Sequence, residues 1–290
     1  MINQTTNSLA ILGTVRNGGE GLRRTLGFIE RLRSRLPCSR CVIVTNDNDD
    51  ETDECLASLG RGSEILQLDG LAAAVCERIE RISLARNMGL MALRSGGKMS
   101  EYTLVLDLDG PNADLEPEAV LNLMTTRSTP WEGLFANQRE AYYDLSALRH
   151  PEWCPDDCWV EYEQAKRRFN ALRSLGVVSN KKIKEKLKKQ YVHDRQYRIP
   201  PEHPWIPVQS AFGGLGLYRS AAIEGQWYGT GARNGRPTCE HVGLHRRMVA
   251  AGARLFIVPD LLNLAPSAHL GPGSGAALPS DLKLIQEVVW

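Results

Sequence analysis

The chain has 290 residues, 42% hydrophobic and 24% charged, with 35 lysine and arginine side chains against 34 aspartate and glutamate. That is enough apolar material for one large domain or two small ones, and a net charge of +1 argues against a nucleic-acid partner held by bulk electrostatics. No run approaches the ~18 apolar residues of a membrane span, and residues 1–7 are polar without a signal-peptide pattern. Seven cysteines without a leader read as free thiols, so a cytoplasmic protein is expected.

In chain order, Leu9 to Val15 is a short apolar strand, Arg16 to Gly21 a polar loop, and Leu22 to Leu36 a helix by its periodicity. Cys41 to Thr45 is the next strand, running into the polar loop Asn46 to Asp50 and a helix over Glu51 to Leu59. Glu64 to Leu68 is a third strand, and Ile79 to Leu93 a helix with a broad apolar face. The strand Leu104 to Leu108 follows. This alternation predicts a parallel sheet covered by helices, with ligands bound at the carboxyl ends of its strands.

Those ends carry Thr14, Arg16 and Asn17, then Asp47 and Asp49, then Asp107 and Asp109. Asp107-Leu108-Asp109-Gly110 closes an apolar strand with two carboxylates. The spacing suits a strand-terminal turn, and it equally suits a hard cation bridging a carboxylate to a diphosphate. The Arg16 to Gly21 loop lacks the Gly-Lys-Ser/Thr ending of a Walker phosphate loop, and its glycines do not form the dinucleotide fingerprint.

In the second half, Phe135 to Leu148 gathers Asn137, Gln138, Arg139, Tyr142, Tyr143 and Asp144, residue types that suit sugar hydroxyls and ring faces as well as an amphipathic edge. Trp153 to Trp159 is irregular. Glu161 to Arg198 is charge-rich, centred on Lys181 to Lys189, and reads as a solvated helical face, an anionic-membrane contact or a lid. Ala211 to Arg219 passes from Gly213-Gly214 into an apolar strand, where paired glycines allow close backbone approach. Cys239-Glu240-His241 opens a helix closed by Gly252, Leu255 to Val258 is a strand, and His269 lies in the loop beyond. Gly271 to Gly275 reads as a flexible start to a tail over 271–290.

The order of these segments resembles nucleotide-sugar-dependent glycosyltransferases of the GT-A type. It is most similar to the fungal Golgi mannan and capsule mannosyltransferase group and its bacterial relatives. The residues behind the likeness are Ser83-Leu84-Ala85-Arg86-Asn87, Asp107-Leu108-Asp109, Tyr143-Asp144-Leu145, Gly213-Gly214 with Leu217-Tyr218-Arg219, Glu240, and His269. The resemblance implies one large α/β domain over 1–270 with a Rossmann-like, mostly parallel sheet. It divides into a nucleotide-binding half (8–110) and an acceptor and donor-sugar half (111–270) with a helical insertion at about 160–198. It implies transfer of a hexose, such as mannose from GDP-mannose, to a glycan or lipid-linked acceptor, and it favours retention of configuration.

The roles it implies run residue by residue. Asp109 and His269, with Asp107, would hold Mn²⁺ or Mg²⁺; Asp107 would also face the ribose or a metal-bound water. Thr14, Arg16 and Asp47 would hold the nucleotide, and Arg86 the diphosphate or donor sugar. Asn137, Tyr143, Asp144, Gly213 and Gly214 would line the substrate. Glu240 and His241 stand where inverting relatives carry a Glu-Asp pair with a general base; here Glu240 reads as the base or as a helix-start acid. Peripheral membrane contact would fall to the lysine-rich segment. A sugar-nucleotide nucleotidyltransferase and a non-catalytic glycan- or nucleotide-binding module are the other readings.

Overall fold

The first strand of the computed structural model, β1 (Leu9–Val15), is buried along almost its whole length because both faces of the sheet are covered. The structure describes residues 8–282 apart from 61, 96, 98, 127, 175–180, 234, 235 and 281; the polar residues 1–7 and the end of the expected tail, 283–290, lie outside the described residues. The chain continues through α1 (Gly19–Arg35), β2 (Arg40–Thr45), α2 (Thr52–Ala57), β3 (Ser63–Gln67), α3 (Leu71–Ala74), α4 (Arg78–Ser95) and β4 (Tyr102–Asp107). The second half adds α5 (Pro117–Thr125), β5 (Gly133–Gln138), α6 (Cys158–Ser174), α7 (Lys181–Tyr191), β6 (Ile206–Val208), β7 (Leu215–Arg219) and α8 (Ser220–Ile223). A two-stranded ribbon, β8 (Ala232–Arg233) and β9 (Arg236–Pro237), precedes α9 (Glu240–Ala250) and β10 (Leu255–Asn263).

Eight strands form one sheet in the order β3-β2-β1-β4-β7-β5-β10-β6. Strands β1 to β4 are mutually parallel, β7 runs antiparallel between β4 and β5, and β10 is parallel to β5. The mostly parallel sheet flanked by helices is therefore as expected, and both halves of the chain share it. Alternate side chains of the central strands feed two cores. Leu12, Val44 and Val105 meet Leu90 and Leu93 of α4 and Met248 of α9 on one face; Ile11, Ile43 and Leu104 meet Leu26 and Ile29 of α1 and Leu123 of α5 on the other. The chain leaves β1 for β2 on one side and returns to β4 on the other, so their carboxyl ends part into a crevice.

Four local expectations need correction. α1 begins at Gly19, not Leu22: Gly18 N–H donates to Thr52 Oγ1 (2.8 Å) at the start of α2 and Gly19 N–H to Asp50 Oδ2 (3.2 Å) in the loop before it, so these side chains satisfy donors that no residue of the helix itself caps. α6 begins at Cys158, inside the stretch expected to be irregular, with Asp157 Oδ1 accepting from Trp159 N–H at 3.0 Å. β10 does not stop at Val258; a register shift between Val258 and Leu262 absorbs Pro259 and lets pairing with β5 resume. The segment at 271–275 is docked: Ser274 Oγ donates to Gln196 Oε1 (2.5 Å) and Gly275 N–H to the Gln196 carbonyl (2.8 Å).

Candidate active site

A cleft of about 550 Å³ opens at the carboxyl ends of β1, β2 and β4, within the range of a small-ligand site. Of the residues singled out in the sequence, Thr14, Arg16, Arg86, Asp107, Asp109, Tyr143, Asp144, Glu240, His241 and His269 all line it. They come from β1, α4, the end of β4, the segment after β5, the start of α9 and the turn after β10.

At the centre is Arg86, whose side chain is 3% exposed. Its Nη2 reaches Asp107 Oδ1 at 2.7 Å, and its Nη1 contacts Glu240 Oε1 and His241 Nε2. Phe212 and Tyr228 lie 4.9 and 5.6 Å from the guanidinium. Burial opposes the charge on Arg86, but Glu240 and Asp107 outweigh it and hold its pKa above the ordinary value. The resemblance implied an arginine on the diphosphate or donor sugar; here the guanidinium joins the β4 carboxylate to the start of α9.

The floor around Arg86 is acidic. Burial pushes the Asp107 carboxyl up to about 7; Arg86 pulls it down, and Asp109, Asp144 and Glu240 add to the rise. Burial also raises Asp144, against the backbone N–H groups of Gly213 (3.1 Å) and Ala147 (3.2 Å) that its carboxylate accepts. Asp109 stands on the exposed loop after β4. Gly21 sets the position of that loop: a Cβ there would meet the Asp109 carbonyl oxygen at 2.4 Å, so only glycine lets α1 pack so close. His241 stacks on Phe212 (ring centroids 3.8 Å apart), and burial, Arg86 and His245 hold its pKa well below the ordinary value. His241 is thus a neutral ring, and its buried Nδ1 has no hydrogen-bond partner among the described residues.

Four expected site residues stand behind the cleft wall. The Asp47 carboxylate accepts the N–H groups of Gly70 (2.6 Å) and Ala72 (2.7 Å) and the Asn46 amide (2.9 Å), which shapes the turn into α3; Asn46 itself faces the cleft. Asn137 is fully buried and donates to the carbonyls of Ile199 (3.0 Å) and Pro259 (2.9 Å). Gly213 and Gly214 have φ of 65° and 83°. This reversal lets the Gly214 carbonyl accept from Asp107 N–H (2.9 Å) and the Asn112 amide (2.8 Å), so the pair shapes the end of β4.

The structure adds residues that the sequence reading missed. Arg78 and Arg81, one turn apart at the start of α4, join Arg16 on the rim. Arg81 Nη1 also donates to the Val75 and Cys76 carbonyls, both at 2.7 Å, which stiffens the turn between α3 and α4. Their i, i+3 spacing at the start of a helix after a third strand was the available signal. Trp159, in the first turn of α6, brings the charged insertion to the opposite wall.

Among the described residues no three or more His, Cys, Asp or Glu side chains form a ready-made metal cage. Mg²⁺, however, is commonly held by only one or two carboxylates together with substrate phosphates, and Mn²⁺ also favours oxygen donors. Asp107 and Asp109 supply such oxygens, and the exposed His269, its ring 5.4 Å from that of Tyr143, stands on the same cleft. The donor set therefore fits an ion that enters with a diphosphate.

No protein-family model matches this chain, and no curated protein matches it. Among solved structures it is similar to a mannosyltransferase from Pyrobaculum calidifontis in complex with GDP-Man and Mn²⁺, at 12% identity and a TM-score of 0.49, over 89% of this chain and 56% of that one. It is also similar to residues 1–349 of S. aureus TarS (9% identity, TM-score 0.45, 88% of this chain and 59% of that one). A third likeness is to glucosyl-3-phosphoglycerate synthase from Mycobacterium tuberculosis in complex with UDP (12%, TM-score 0.39, 84% and 65%). The chain thus spans less than two thirds of each of these proteins.

Proposed function

We propose that the chain is a metal-dependent glycosyltransferase that moves a hexose, mannose from GDP-mannose in the narrower reading, from a nucleotide-sugar donor to a glycan or lipid-linked hydroxyl. One observation carries the proposal: a single cleft at the sheet switch point combines a basic rim with a buried carboxylate floor. The rim of Arg16, Arg78 and Arg81 suits a diphosphate, and the floor of Asp107, Asp144 and Glu240 suits sugar hydroxyls and an acceptor proton.

In this reading Thr14 and Asn46 hold the nucleoside, with Asp47 shaping the loop beneath it. Asp109, Asp107 and His269 would hold Mn²⁺ or Mg²⁺. When bound, the ion supplies Lewis-acid stabilisation of the departing diphosphate. The acceptor oxygen bonds to the anomeric carbon while the bond from that carbon to phosphate breaks, its electron pair leaving with the nucleoside diphosphate. The rim arginines meet the charge that develops there. Glu240, anchored through Oε1 by Arg86, takes or orients the acceptor proton, and His241 beside it contacts the same guanidinium through Nε2. Tyr143 and Asp144 contact the donor sugar.

Among the described residues no helix is long and apolar enough to cross a membrane. We place the chain in the cytoplasm, with the exposed lysines of α7 as the face offered to an anionic membrane when the acceptor is lipid-linked.

A panel of nucleotide sugars, assayed for slow hydrolysis with and without Mn²⁺, tests the proposal. Metal-dependent release of a nucleoside diphosphate from one donor is expected. Affinity without turnover of any donor would identify a binding module, and pyrophosphate release from a nucleoside triphosphate a nucleotidyltransferase.

A further inference from the structure

We propose that Gln196 is a positioning residue that holds His269 and Tyr143 on the cleft, and that through it residues 271–275 belong to the site. Gln196 follows the short turn His193–Arg195 at the exit of the inserted helices; it is 1% exposed and lines the cleft. Its side chain ties three separate segments together. Nε2 donates to the His269 carbonyl (2.9 Å) and to the Tyr143 carbonyl (3.3 Å), and Oε1 accepts from the Ser274 hydroxyl (2.5 Å). Carbonyl oxygens only accept, so these two fix the amide with its nitrogen toward them and its oxygen toward Ser274. Ser274 Oγ in turn accepts the Gly271 N–H (3.0 Å), so one hydroxyl both closes the 271–274 turn and donates to Gln196.

The His269 turn needs such a hold. Ser267–His269 buries no residue, and its own bonds are local, from His269 N–H to the Pro266 carbonyl (2.9 Å) and from Leu270 N–H to that of Ser267 (3.2 Å). The chain beyond it is seated without the Gln196 side chain. The Gln196 backbone carbonyl accepts the Gly275 N–H (2.8 Å), and Arg198 N–H donates to the Ala276 carbonyl (2.7 Å). Gly271 lies against the His193 ring, where a Cβ would come within 1.9 Å of a ring carbon. The backbone therefore docks the segment, and the amide adds the branch that reaches back to His269 and Tyr143. That division separates positioning from mere anchorage. Groups that orient a metal ligand are commonly worth ten- to a hundredfold in metal affinity. The inference rests on the reading of the cleft as a site for a cation that enters with a diphosphate.

Mn²⁺ binding in the presence of GDP or UDP, followed by the electron paramagnetic resonance of free Mn²⁺, tests it without turnover. Gln196→Glu keeps the shape of the side chain but sets an acceptor against two carbonyls. It should raise the Mn²⁺ dissociation constant roughly tenfold or more, and Gln196→Met, which removes the bonds without the repulsion, should raise it by a smaller factor. In a His269→Ala background either substitution should change the constant less than about twofold, because the amide acts through His269. Parent affinity in both variants with parent circular dichroism, parent affinity in His269→Ala, or an undiminished loss in the His269→Ala background would each overturn the proposal and leave the cleft reading standing. A parent that binds no Mn²⁺ with either nucleotide would overturn both.

Discussion

Replacing Arg86 by methionine tests the central arrangement most directly. The stem is kept, but two carboxylates lose their cation: Glu240, with a side chain 7% exposed, and Asp107, 30% exposed. Removing one partner of a buried pair costs ~3–5 kcal/mol. Solvent screens part of the Asp107 share, so the lower end, about 3 kcal/mol, is expected from ~5–15 kcal/mol of total stability. Urea unfolding at neutral pH would measure it for Arg86→Met, Glu240→Gln and the double variant. The double should recover more than about 1 kcal/mol relative to additivity, because glutamine no longer needs the cation. A second readout is nucleotide binding. Arg86 pulls the Asp107 carboxyl downward, so without it that carboxyl rises further, metal-dependent binding at neutral pH weakens, and raising the pH restores it. Arg86→Met within about 0.5 kcal/mol of the parent, with an additive double variant, would refute the idea that this guanidinium ties β4 to α9.

Further outcomes are expected elsewhere. Asp109→Ala should cut turnover by roughly a hundredfold or more while leaving the urea midpoint unchanged, since Asp109 sits on an exposed loop; steady-state donor hydrolysis checks this. Gly21→Ala should weaken nucleoside diphosphate binding in calorimetry with little change in the overall fold, because its Cβ would displace the Asp109 carbonyl. The buried histidines should cost the protein stability in acid, opposed by Asp107 and Asp144, whose raised carboxyls take up protons in the folded chain as the pH falls. Burial, with Arg86, depresses His245 to about 3, and burial first also lowers His241, His150 and His193, so the unfolded chain binds protons that the folded chain refuses. The stability is complete above the unfolded histidine pKa of 6.5 and is lost as pH falls toward 3, with His245 alone accounting for up to about 5 kcal/mol. Urea midpoints at several pH values for the parent and for His245→Asn would show this, and an unchanged pH profile in the variant would contradict it.

The sheet was readable because parallel strands covered on both faces are continuous apolar runs, as Cys41 to Thr45 and Leu104 to Leu106 are. The cleft followed from the rule that ligands sit at the carboxyl ends of such strands, and Thr14, Arg16, Asp107 and Asp109, which that rule groups, line one cleft. Depth was not readable. Asp47 and Asn46 are adjacent polar residues, and only a left-handed backbone at Asp47 (φ 46°) turns its carboxylate into the α3 turn and leaves Asn46 on the cleft. Asn137 looked like a sugar ligand by type, but its place at the end of a fully buried strand commits it to backbone carbonyls. Nor does sequence distance show that Arg86 meets Glu240; that contact exists because α4 and α9 cover the same face of the sheet.

The knot of Arg86, Asp107, Glu240 and His241 is difficult to explain by stability alone. A buried ion pair recovers its desolvation cost only in part, and apolar residues of similar volume often stabilise a core as well or better. Here the ion pair is flanked by additional carboxyls that raise one another, an arrangement with net like-charge repulsion along the floor. Such strain is expected where a cation or a polar substrate relieves it. The distribution of the other charges agrees. Arg16, Arg78 and Arg81 stand on the rim of the same cleft, and none of them has an ion pair among the described residues. Among the described residues Arg86 alone forms ion pairs with the floor acids, with Asp107 and Glu240. A site for one sign of charge needs only one of these sets. Separated sets suit a reaction whose leaving group gains negative charge at the rim while a hydroxyl gives up its proton over the floor. Neutralising one floor carboxylate and one rim arginine should therefore impair different steps: Glu240→Gln the transfer to acceptor, and Arg81→Gln the departure of the nucleoside diphosphate.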